Sequence, residues 1–521
     1  MSPLGARRAR TAVGLALGAA LAACAPGPDA GSIAQGTLEP EVRPDTPGNN
    51  LQFRFDPGDV VEAFGSTDGN FLVHFTRLGP NAVPDTDADT SGVPDFVEDV
   101  ASVYVEVLAS YAGDLGFQAP LSDAAVGDNG GDGRFDVYLV DFAGVGDGNF
   151  QHDACGPQNP EQCNGYMIEE NDFAGYGYPS TAVANRILGS HEFFHAVQAA
   201  YDVGQGSVLA EGTAVWATEA FDPTLDDFEW LVSGYLDNPD QPLDTPLPGP
   251  VDAFSYGTGL YFEFLEERYG AGMVRALWER AVNGAFGVAD PVWMQELPAM
   301  LTAEAGVSFA DSFVEFATWN LYTGGFADPA VAYLRGAGYP RVRMSIVAAP
   351  FQDDALRVFH ASSQYYALAP DGRTEMTAAL VAPATDPSAA DGLALLVDVE
   401  GVTDVTSVTR LVDPGAGTET VSTAGAARVV VVVVNPLTSG SSKKPALCIG
   451  TVAEVAACRD ALGAGGAGGG PAAPAEAAPE ETSGCACRQA GTAGARTDGV
   501  AAALAMGGLA VGAARRRRRR G

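Results

Sequence analysis

Five consecutive residues, His191 to His195, read His-Glu-Phe-Phe-His within a stretch that predicts a helix. Residues four apart on a helix lie on the same face about one turn apart, so the imidazoles of His191 and His195 converge while Glu192 projects beside them. Neutral imidazole nitrogens suit a zinc ion, and an adjacent carboxylate can take a proton from zinc-bound water as it attacks a carbonyl. The motif therefore predicts half of a zinc site together with its general base.

The residues around this motif predict a long and partly buried helix. Ser180 can cap its start, and the helical pattern continues to about Tyr201. An apolar face for packing comes from Ile187, Leu188, Phe194 and Val197. We therefore expect the two histidines to lie on a rigid, half-buried element, as a metal site requires.

A zinc hydrolase needs a third protein ligand and an open position for water. Residues 208–219 predict a second helix, which the turn at 202–206 can bring back antiparallel to the first. Glu211 and Glu219 can each supply the ligand. Glu211 is favoured because it opens this helix just after the turn, and Glu219 then supports the site or faces solvent.

These two segments together show a family resemblance. The His-Glu-x-x-His motif, followed by the Glu-Gly-x-Ala-x-Trp helix at 211–216, resembles the gluzincin zinc peptidases. The wider runs 191–198 and 210–216 are similar to a group of secreted metalloproteases from myxobacteria. The resemblance implies that His191, His195 and Glu211 hold zinc and that Glu192 is the base and then the proton shuttle. His195 and Glu211 are closer in sequence than in the aminopeptidase and thermolysin branches.

Tyr256 precedes a helix of the kind that follows the zinc helices in gluzincins. In that family a tyrosine often stabilises the oxyanion, so the resemblance implies this role for Tyr256, and a phenol is a suitable donor for that charge. The alternative is an aromatic side chain packed at a helix start.

Residues 165–172 predict a strand at the place where zincins have the edge strand that pairs with extended substrate. The run is similar, with one additional residue, to the Gly-x-Met-Glu-Asn loop of aminopeptidases. A groove closed by Glu169 and Glu170 would favour an aminopeptidase.

The start of the chain predicts export. Three arginines precede an apolar stretch that ends at Cys24, which is typical of a lipoprotein-type signal peptide at 1–23, although an ordinary signal peptidase site nearby would serve equally well. Residues 24–50 are a Pro/Gly-rich tether.

The end of the chain predicts surface display. A Gly/Ala/Pro linker at 460–484 precedes a tail at 485–521 with Cys485, Cys487, a weak apolar segment and six arginines. This order resembles the MYXO-CTERM type of sorting tail, and the alternative is a disordered basic tail. We expect a secreted protein at the cell surface or outer membrane, which meets the membrane only through the N-terminal lipid, the sorting tail or both.

The net charge of −37 at pH 7 excludes nucleic acid and anionic membrane surfaces as partners. The cysteines agree with export, because Cys155 with Cys163 and Cys448 with Cys458 are spaced as short-loop disulfides. The chain has no Cys-x-x-Cys pair, so a structural zinc site at these cysteines is not expected.

Residues 87–98 match an EF-hand calcium loop, with glycine at position 6. Oxygen ligands at positions 1, 3, 5, 9 and 12 are Asp87, Asp89, Ser91, Asp95 and Glu98. A helix is expected after Glu98, and calcium would brace the loop against autolysis. The alternative is a solvated acidic turn. Residues 128–136 begin a second loop of this type. It matches the pattern less well, because Leu139 stands at position 12, where a ligand oxygen is expected.

The order of predicted elements indicates two structural regions. Strands near 71–75, 135–141 and 165–170, followed by helices, predict an α+β, zincin-like catalytic domain at 51–338. Short strands with Gly, Pro and Asp turns predict a small all-β, sandwich-like domain at 341–459.

These observations predict a zinc metallopeptidase that acts on proteins or peptides, as an endopeptidase. One alternative is a calcium-braced surface binding or adhesion protein with a structural or degenerate zinc site. A second alternative, within enzymes, is an aminopeptidase.

Overall fold

The computed structural model describes residues 42–464 except 157–158, 160, 249–251, 283–289, 403 and 412–416. The predicted signal peptide, Cys24, residues 24–41 of the tether, residues 465–484 of the linker and the sorting tail lie outside the described residues. Within the described part, the chain has a mixed α+β architecture. No helix there combines the length and apolarity needed to cross a bilayer.

A five-stranded sheet forms the base of the first region. Its strands are β1 (Val61–Gly65), β2 (Phe71–Thr76), β3 (Phe135–Val140), β4 (Gly148–Cys155) and β5 (Cys163–Glu170). Their order is β1-β2-β3-β5-β4, with β2, β3 and β5 parallel and the two outer strands antiparallel. The edge strands are therefore β1 and β4, and the assignment of an edge to the strand at 165–170 is wrong, because β5 lies between β3 and β4. Local sequence does not predict this order. In the chain β4 follows β3, but in the sheet β5 lies between them and β4 pairs with β5 alone among the described strands.

Helices cover one face of this sheet and continue into a helical layer. They are α1 (Asp95–Leu108), α2 (Thr181–Ala199), α3 (Ser207–Phe221), α4 (Phe228–Leu231), α5 (Ser233–Leu236), α6 (Ala253–Gly257), α7 (Gly259–Tyr269), α8 (Met273–Ala281), α9 (Trp293–Ala305) and α10 (Phe309–Trp319). A π-helical turn, Ala109–Asp114, follows α1, and a 3-10 turn, Gly324–Phe326, follows α10. Helices α1 and α2 pack on the sheet and on each other, and α3 packs on α2.

The opposite face of the sheet is covered by the segment that enters it. Phe53 stacks on Phe142, and Phe55 joins a small core with residues of β3 and β5. Residues 42–50, which the sequence interpretation places in the tether, also contact this face. The side chain of Arg43 is fully buried there.

Arg43 binds a cluster of carboxylates. Its guanidinium contacts Asp123 and Asp136, each at 2.6 Å, and Asp153 on β4. Asp136 also accepts from His74 at 2.7 Å. Of the acidic residues that suggested a second calcium loop, Asp136 is bound by Arg43, Asp132 pairs with Arg134 and Asp128 accepts from the hydroxyl of Thr46.

The second region is a two-layer β structure. Its strands are β6 (Ser345–Val347), β7 (Phe351–Asp353), β8 (Ser362–Leu368), β9 (Glu375–Val381), β10 (Ala394–Glu400), β11 (Val405–Leu411), β12 (Glu419–Ser422), β13 (Arg428–Asn435) and β14 (Ala446–Gly450). One sheet has the order β11-β10-β13-β8-β6 and the other β12-β9-β14-β7. The run of valines in β13 is buried on both faces. One face packs between the sheets, and the other joins the core of the helical layer.

The expectation of an all-β second region needs one correction. A helix, α11 (Val452–Ala464), follows β14 and packs on β9 and β14. Val455, Cys458 and Leu462 form its apolar contacts. The predicted disulfides are both present, and the Cys448–Cys458 bond ties α11 to β14.

Candidate metal centre

The two histidines of the motif and Glu211 lie together. Ser180 caps α2 by accepting from the amide of Val183 at 3.2 Å, and the helix runs without interruption through His191 and His195. Gly206, at φ 83°, makes the turn from which α3 returns alongside α2. Glu211 Oε2 lies 3.2 Å from His191 Nε2 and 3.6 Å from His195 Nε2.

These three residues form a buried group that can bind a metal ion. One ligand atom from each lies within 4.8 Å of the others. Burial opposes the charge of Glu211, but the two imidazoles outweigh it and hold the pKa of this carboxyl well below its usual range. A set of two imidazoles and one carboxylate is typical of catalytic zinc sites.

Gly212, the residue after Glu211, allows the next helices to approach α3. A side chain at this position would collide with the hydroxyl of Thr258 and would come within 2.7 Å of the Phe262 ring. The glycine of the Glu-Gly pair is therefore required for the packing of Thr258 and α7 on α3.

Gln198 orients one of the histidines, and sequence reasoning missed this residue. Its Oε1 lies 2.8 Å from His195 Nδ1, while its amide nitrogen donates to Ala210 O and Thr213 Oγ1 at 2.8 and 3.0 Å. The signal that could have identified it is its spacing, because residues i and i+3 share a helix face.

Glu192 lies beside the group with an unused oxygen. The residue is 5% exposed, and its Oε2 atom is buried without a hydrogen-bond partner in the described part of the chain. Burial raises the pKa of Glu192, and His195 and His191 oppose this shift. A buried carboxylate oxygen without a partner is costly unless another group binds it. A metal ion with its water would meet this requirement, so the residues fit a bound metal.

Tyr256 also belongs to the surroundings of the group. It lies in α6, and its ring is nearly parallel to that of His191, with 5.7 Å between the ring centres and 22° between the planes. Tyr256 therefore lies against His191, and its predicted role at the oxyanion stays a prediction.

Glu219, the alternative third ligand, lies elsewhere. Its Oε1 pairs with Nε of Arg335 at 3.2 Å. It does not belong to the group of His191, His195 and Glu211.

The two acidic residues expected of an aminopeptidase are buried and hydrogen-bonded. Glu169 accepts from the hydroxyl of Tyr104 at 3.0 Å, and Glu170 accepts from the amide of Phe142 at 2.8 Å and from Tyr176. Burial raises the pKa of Glu169 to about 8 and that of Glu170 to about 7. Oε1 of Glu169 has no hydrogen-bond partner within the described residues, but both residues are buried, so neither carboxyl is exposed to close a groove.

The predicted calcium loop brings part of its ligand set together. One carboxylate oxygen each from Asp87, Asp89 and Asp95 lies within 4.8 Å of the others. The loop is shaped by the amide of Ser91, which donates to Asp87 and Asp89. Glu98 does not join this group, and the helix begins at Asp95 instead of after Glu98.

Comparison with known protein families and with curated proteins finds no match for this chain. The gluzincin resemblance therefore depends on the motif residues themselves.

Proposed function

We propose that this chain is a secreted, surface-anchored zinc metallopeptidase, and specifically an endopeptidase. The observation that carries the proposal is the buried convergence of His191, His195 and Glu211, with the free Oε2 of Glu192 beside them. Two imidazole nitrogens and one carboxylate oxygen form a ligand set that favours zinc over calcium or magnesium, which prefer oxygen ligands alone.

Each residue has a defined task in this proposal. His191, His195 and Glu211 would hold zinc, which when bound supplies the Lewis acidity that polarises a water molecule and the peptide carbonyl. Glu192 accepts the proton of the attacking water and passes it to the leaving amine nitrogen. Tyr256 donates its phenol hydrogen to the oxyanion. Gln198 keeps the His195 ring in the orientation that presents Nε2.

Two further features support a role outside the cell. The chain forms two disulfides, which persist in oxidising compartments. Calcium held by Asp87, Asp89 and Asp95 would stabilise the loop before α1, which is useful to a protease exposed to its own activity.

The test compares the full chain with its Glu192→Gln variant in calcium buffer. We expect about one zinc per chain in both proteins and chelator-sensitive casein cleavage in the wild type. Loss of the base should lower turnover by roughly 10²- to 10⁴-fold in the variant. Full activity of Glu192→Gln would refute the mechanism, and absence of zinc from both proteins would refute the site.

A second candidate function is a surface binding or adhesion protein with a structural metal site. The observation in its favour is the low exposure of the ligands, 6% for His191 and 8% for His195. Acetohydroxamate separates the two candidates, because it binds only a metal with an open position. A spectral change of the cobalt-substituted protein on adding acetohydroxamate would favour the peptidase.

The aminopeptidase alternative has less support. Glu169 and Glu170 are buried, with 0% and 2% of their surface exposed, so neither carboxyl faces a groove in which a substrate amino terminus could bind. Comparing cleavage of a peptide with that of its N-acetylated form tests this choice, and we expect both forms to be cleaved.

A further inference from the structure

A buried hydroxyl on α3 joins the surroundings of the metal group to a third helix. Thr213 is fully buried, and its Oγ1 atom lies 3.0 Å from Nε2 of Gln198 on α2 and 3.2 Å from Nε1 of Trp278 on α8. The same atom lies 2.7 Å from the backbone carbonyl of Leu209, one turn earlier in α3. Three groups therefore meet at one hydroxyl, which can donate one hydrogen and accept two.

Two of these groups decide where the hydrogen of the hydroxyl points. An indole N–H can only donate, so Trp278 donates to Thr213. A backbone carbonyl can only accept, so Thr213 donates to Leu209. A hydroxyl without these two partners could also donate to the amide oxygen of a glutamine. With them, the role that remains for Thr213 towards Gln198 is that of acceptor.

The same reasoning fixes the side-chain amide of Gln198. The end of this amide that faces α3 meets Thr213 and, at 2.8 Å, the carbonyl of Ala210, and both of these oxygens accept. The amide nitrogen therefore faces α3, and the amide oxygen faces Nδ1 of His195 at 2.8 Å. Because an amide oxygen can only accept, Nδ1 carries a hydrogen, and Nε2 of the neutral ring keeps its lone pair. Nε2 is the nitrogen that lies 3.6 Å from Glu211 Oε2.

Burial makes this arrangement of hydrogens costly to change. Gln198 is 5% exposed and Trp278 is 1% exposed, so a group that lost its partner would stay unpaired in the protein interior. The indole of Trp278 is also held by packing against Tyr201, with 6.4 Å between the ring centres. The direction of each hydrogen bond from Trp278 to His195 is therefore fixed.

We propose that Thr213 and Trp278 are positioning residues of the metal centre. They hold the amide of Gln198 so that His195 keeps its hydrogen on Nδ1 and presents the lone pair of Nε2. Their effect on zinc binding rests on the proposed function, whereas their effect on the tautomer of His195 does not. Neither residue belongs to the His-Glu-x-x-His motif, and Trp278 lies on a different helix from all three metal-binding candidates.

The first measurement is isotope-edited NMR of the histidine ring nitrogens in the metal-free full chain, which has five histidines. Protonated and unprotonated ring nitrogens differ clearly in chemical shift. The signals of His195 are assigned by their loss in His195→Gln. We expect Nδ1 of His195 to carry a hydrogen in the wild type. A His195 ring that carries its hydrogen on Nε2 alone would overturn the inference.

The second measurement compares Thr213→Val with Thr213→Ser. Valine has the shape of threonine but no hydroxyl, whereas serine keeps the hydroxyl. We expect Thr213→Val to bind zinc roughly 3- to 10-fold more weakly, as for one net hydrogen bond, and to show both tautomers of His195. Thr213→Ser should retain the affinity and the single tautomer of the wild type. Competition with a fluorescent chelator measures the affinity for zinc.

The matched control is Thr218→Val. Thr218 lies on the same helix, is 1% exposed, donates to the carbonyl of Ala214 and accepts from Ser190 of α2. It therefore resembles Thr213 in burial and in joining α3 to α2, but it does not contact Gln198. We expect Thr218→Val to lower the melting temperature as Thr213→Val does, while its zinc affinity and its His195 tautomer stay as in the wild type.

The outcomes separate a positioning role from a packing role. If both valine variants lose stability alike and keep the zinc affinity and tautomer of the wild type, Thr213 acts only in packing and the inference is wrong. An equal loss of affinity in Thr213→Val and Thr213→Ser would also overturn it, because the hydroxyl would then not be responsible. If the wild type binds no zinc, the proposed function fails, and the NMR measurement on the metal-free protein still decides the inference.

Discussion

His195 Nδ1 lies 2.8 Å from Gln198 Oε1, so the amide of Gln198 fixes the ring that presents Nε2 to Glu211. Gln198 is itself fixed by its two hydrogen bonds to α3, at Ala210 and Thr213. The two helices that carry the proposed metal ligands are therefore joined by a hydrogen-bond network as well as by the contacts of Glu211 with the two histidines.

Replacing Gln198 by Ala should lower the affinity for zinc by roughly 10- to 100-fold, because the His195 ring loses the partner that orients it. Competition with a fluorescent chelator measures this affinity. The control is Gln241→Ala, whose side chain donates to the carbonyl of Thr245 at the surface and, within the described residues, makes no contact with the metal group. Unchanged zinc affinity in Gln198→Ala would contradict the orienting role.

The two glutamates of α3 should respond differently to substitution. Glu211→Ala removes a ligand, and we expect it to abolish stoichiometric zinc binding at micromolar metal. Glu219→Ala should keep zinc, since Glu219 pairs with Arg335 and not with the histidines. Metal analysis of both purified variants decides the point, and loss of zinc from Glu219→Ala alone would reverse the ligand assignment.

Arg43→Ala should destabilise the first region strongly. It leaves Asp123, Asp136 and Asp153 buried without their cation, and breaking a buried pair in this way costs about 3–5 kcal/mol. Urea unfolding measures the loss of unfolding free energy. The control is Arg54→Ala, which removes a contact at the surface. A variant as stable as the wild type would show that the carboxylates find another partner.

Calcium should raise the melting temperature of the wild type if the loop before α1 binds it. Asp89→Asn should reduce this increase, because it removes one of the three converging carboxylates. Asp85→Asn is the matched control, since Asp85 lies outside this group. Equal melting temperatures with calcium and with chelator in the wild type would argue for a solvated acidic turn.

The contact between His360 and Asp244 should make stability depend on pH. His360 Nε2 lies 2.8 Å from Asp244 Oδ1, and this hydrogen bond raises the pKa of His360 above its ordinary value of 6.5. The contribution is complete below pH 6.5 and is lost as the pH rises through the higher folded pKa. The melting temperature of His360→Gln should therefore fall below that of the wild type at pH 5.5 and approach it at pH 9. A difference that grows with pH would contradict this sign.

The sequence contains most of the metal group but not its surroundings. Helix periodicity brings His191 and His195 to one face, and the turn before α3 returns Glu211 to them. Gln198 belongs to no such motif. The position of β4 outside β5 is also not predicted, because the order of strands in the sheet follows from the packing of the whole sheet and not from local residues.

In the second region, too, the sequence predicts only part of the structure. The strands around Tyr365, Met376, Leu393 and Val429 follow from sequence, because apolar runs between turn residues predict them. Helix α11 does not, since its short apolar stripe of Val455, Cys458 and Leu462 is weak by itself. Its packing on β9 and β14 and its disulfide to Cys448 supply what the local pattern lacks.

The bond between Cys155 and Cys163 has a practical consequence for production of this protein. It ties the end of β4 to the start of β5, whereas His191, His195 and Glu211 lie on helices that carry neither cysteine. Cytosolic expression hosts keep thiols reduced. We expect protein made there to bind the proposed zinc at these helices and yet to lack the bond between β4 and β5. A preparation that contains zinc but shows no activity should therefore first be checked for the bond between Cys155 and Cys163 before it is taken as evidence against an enzyme.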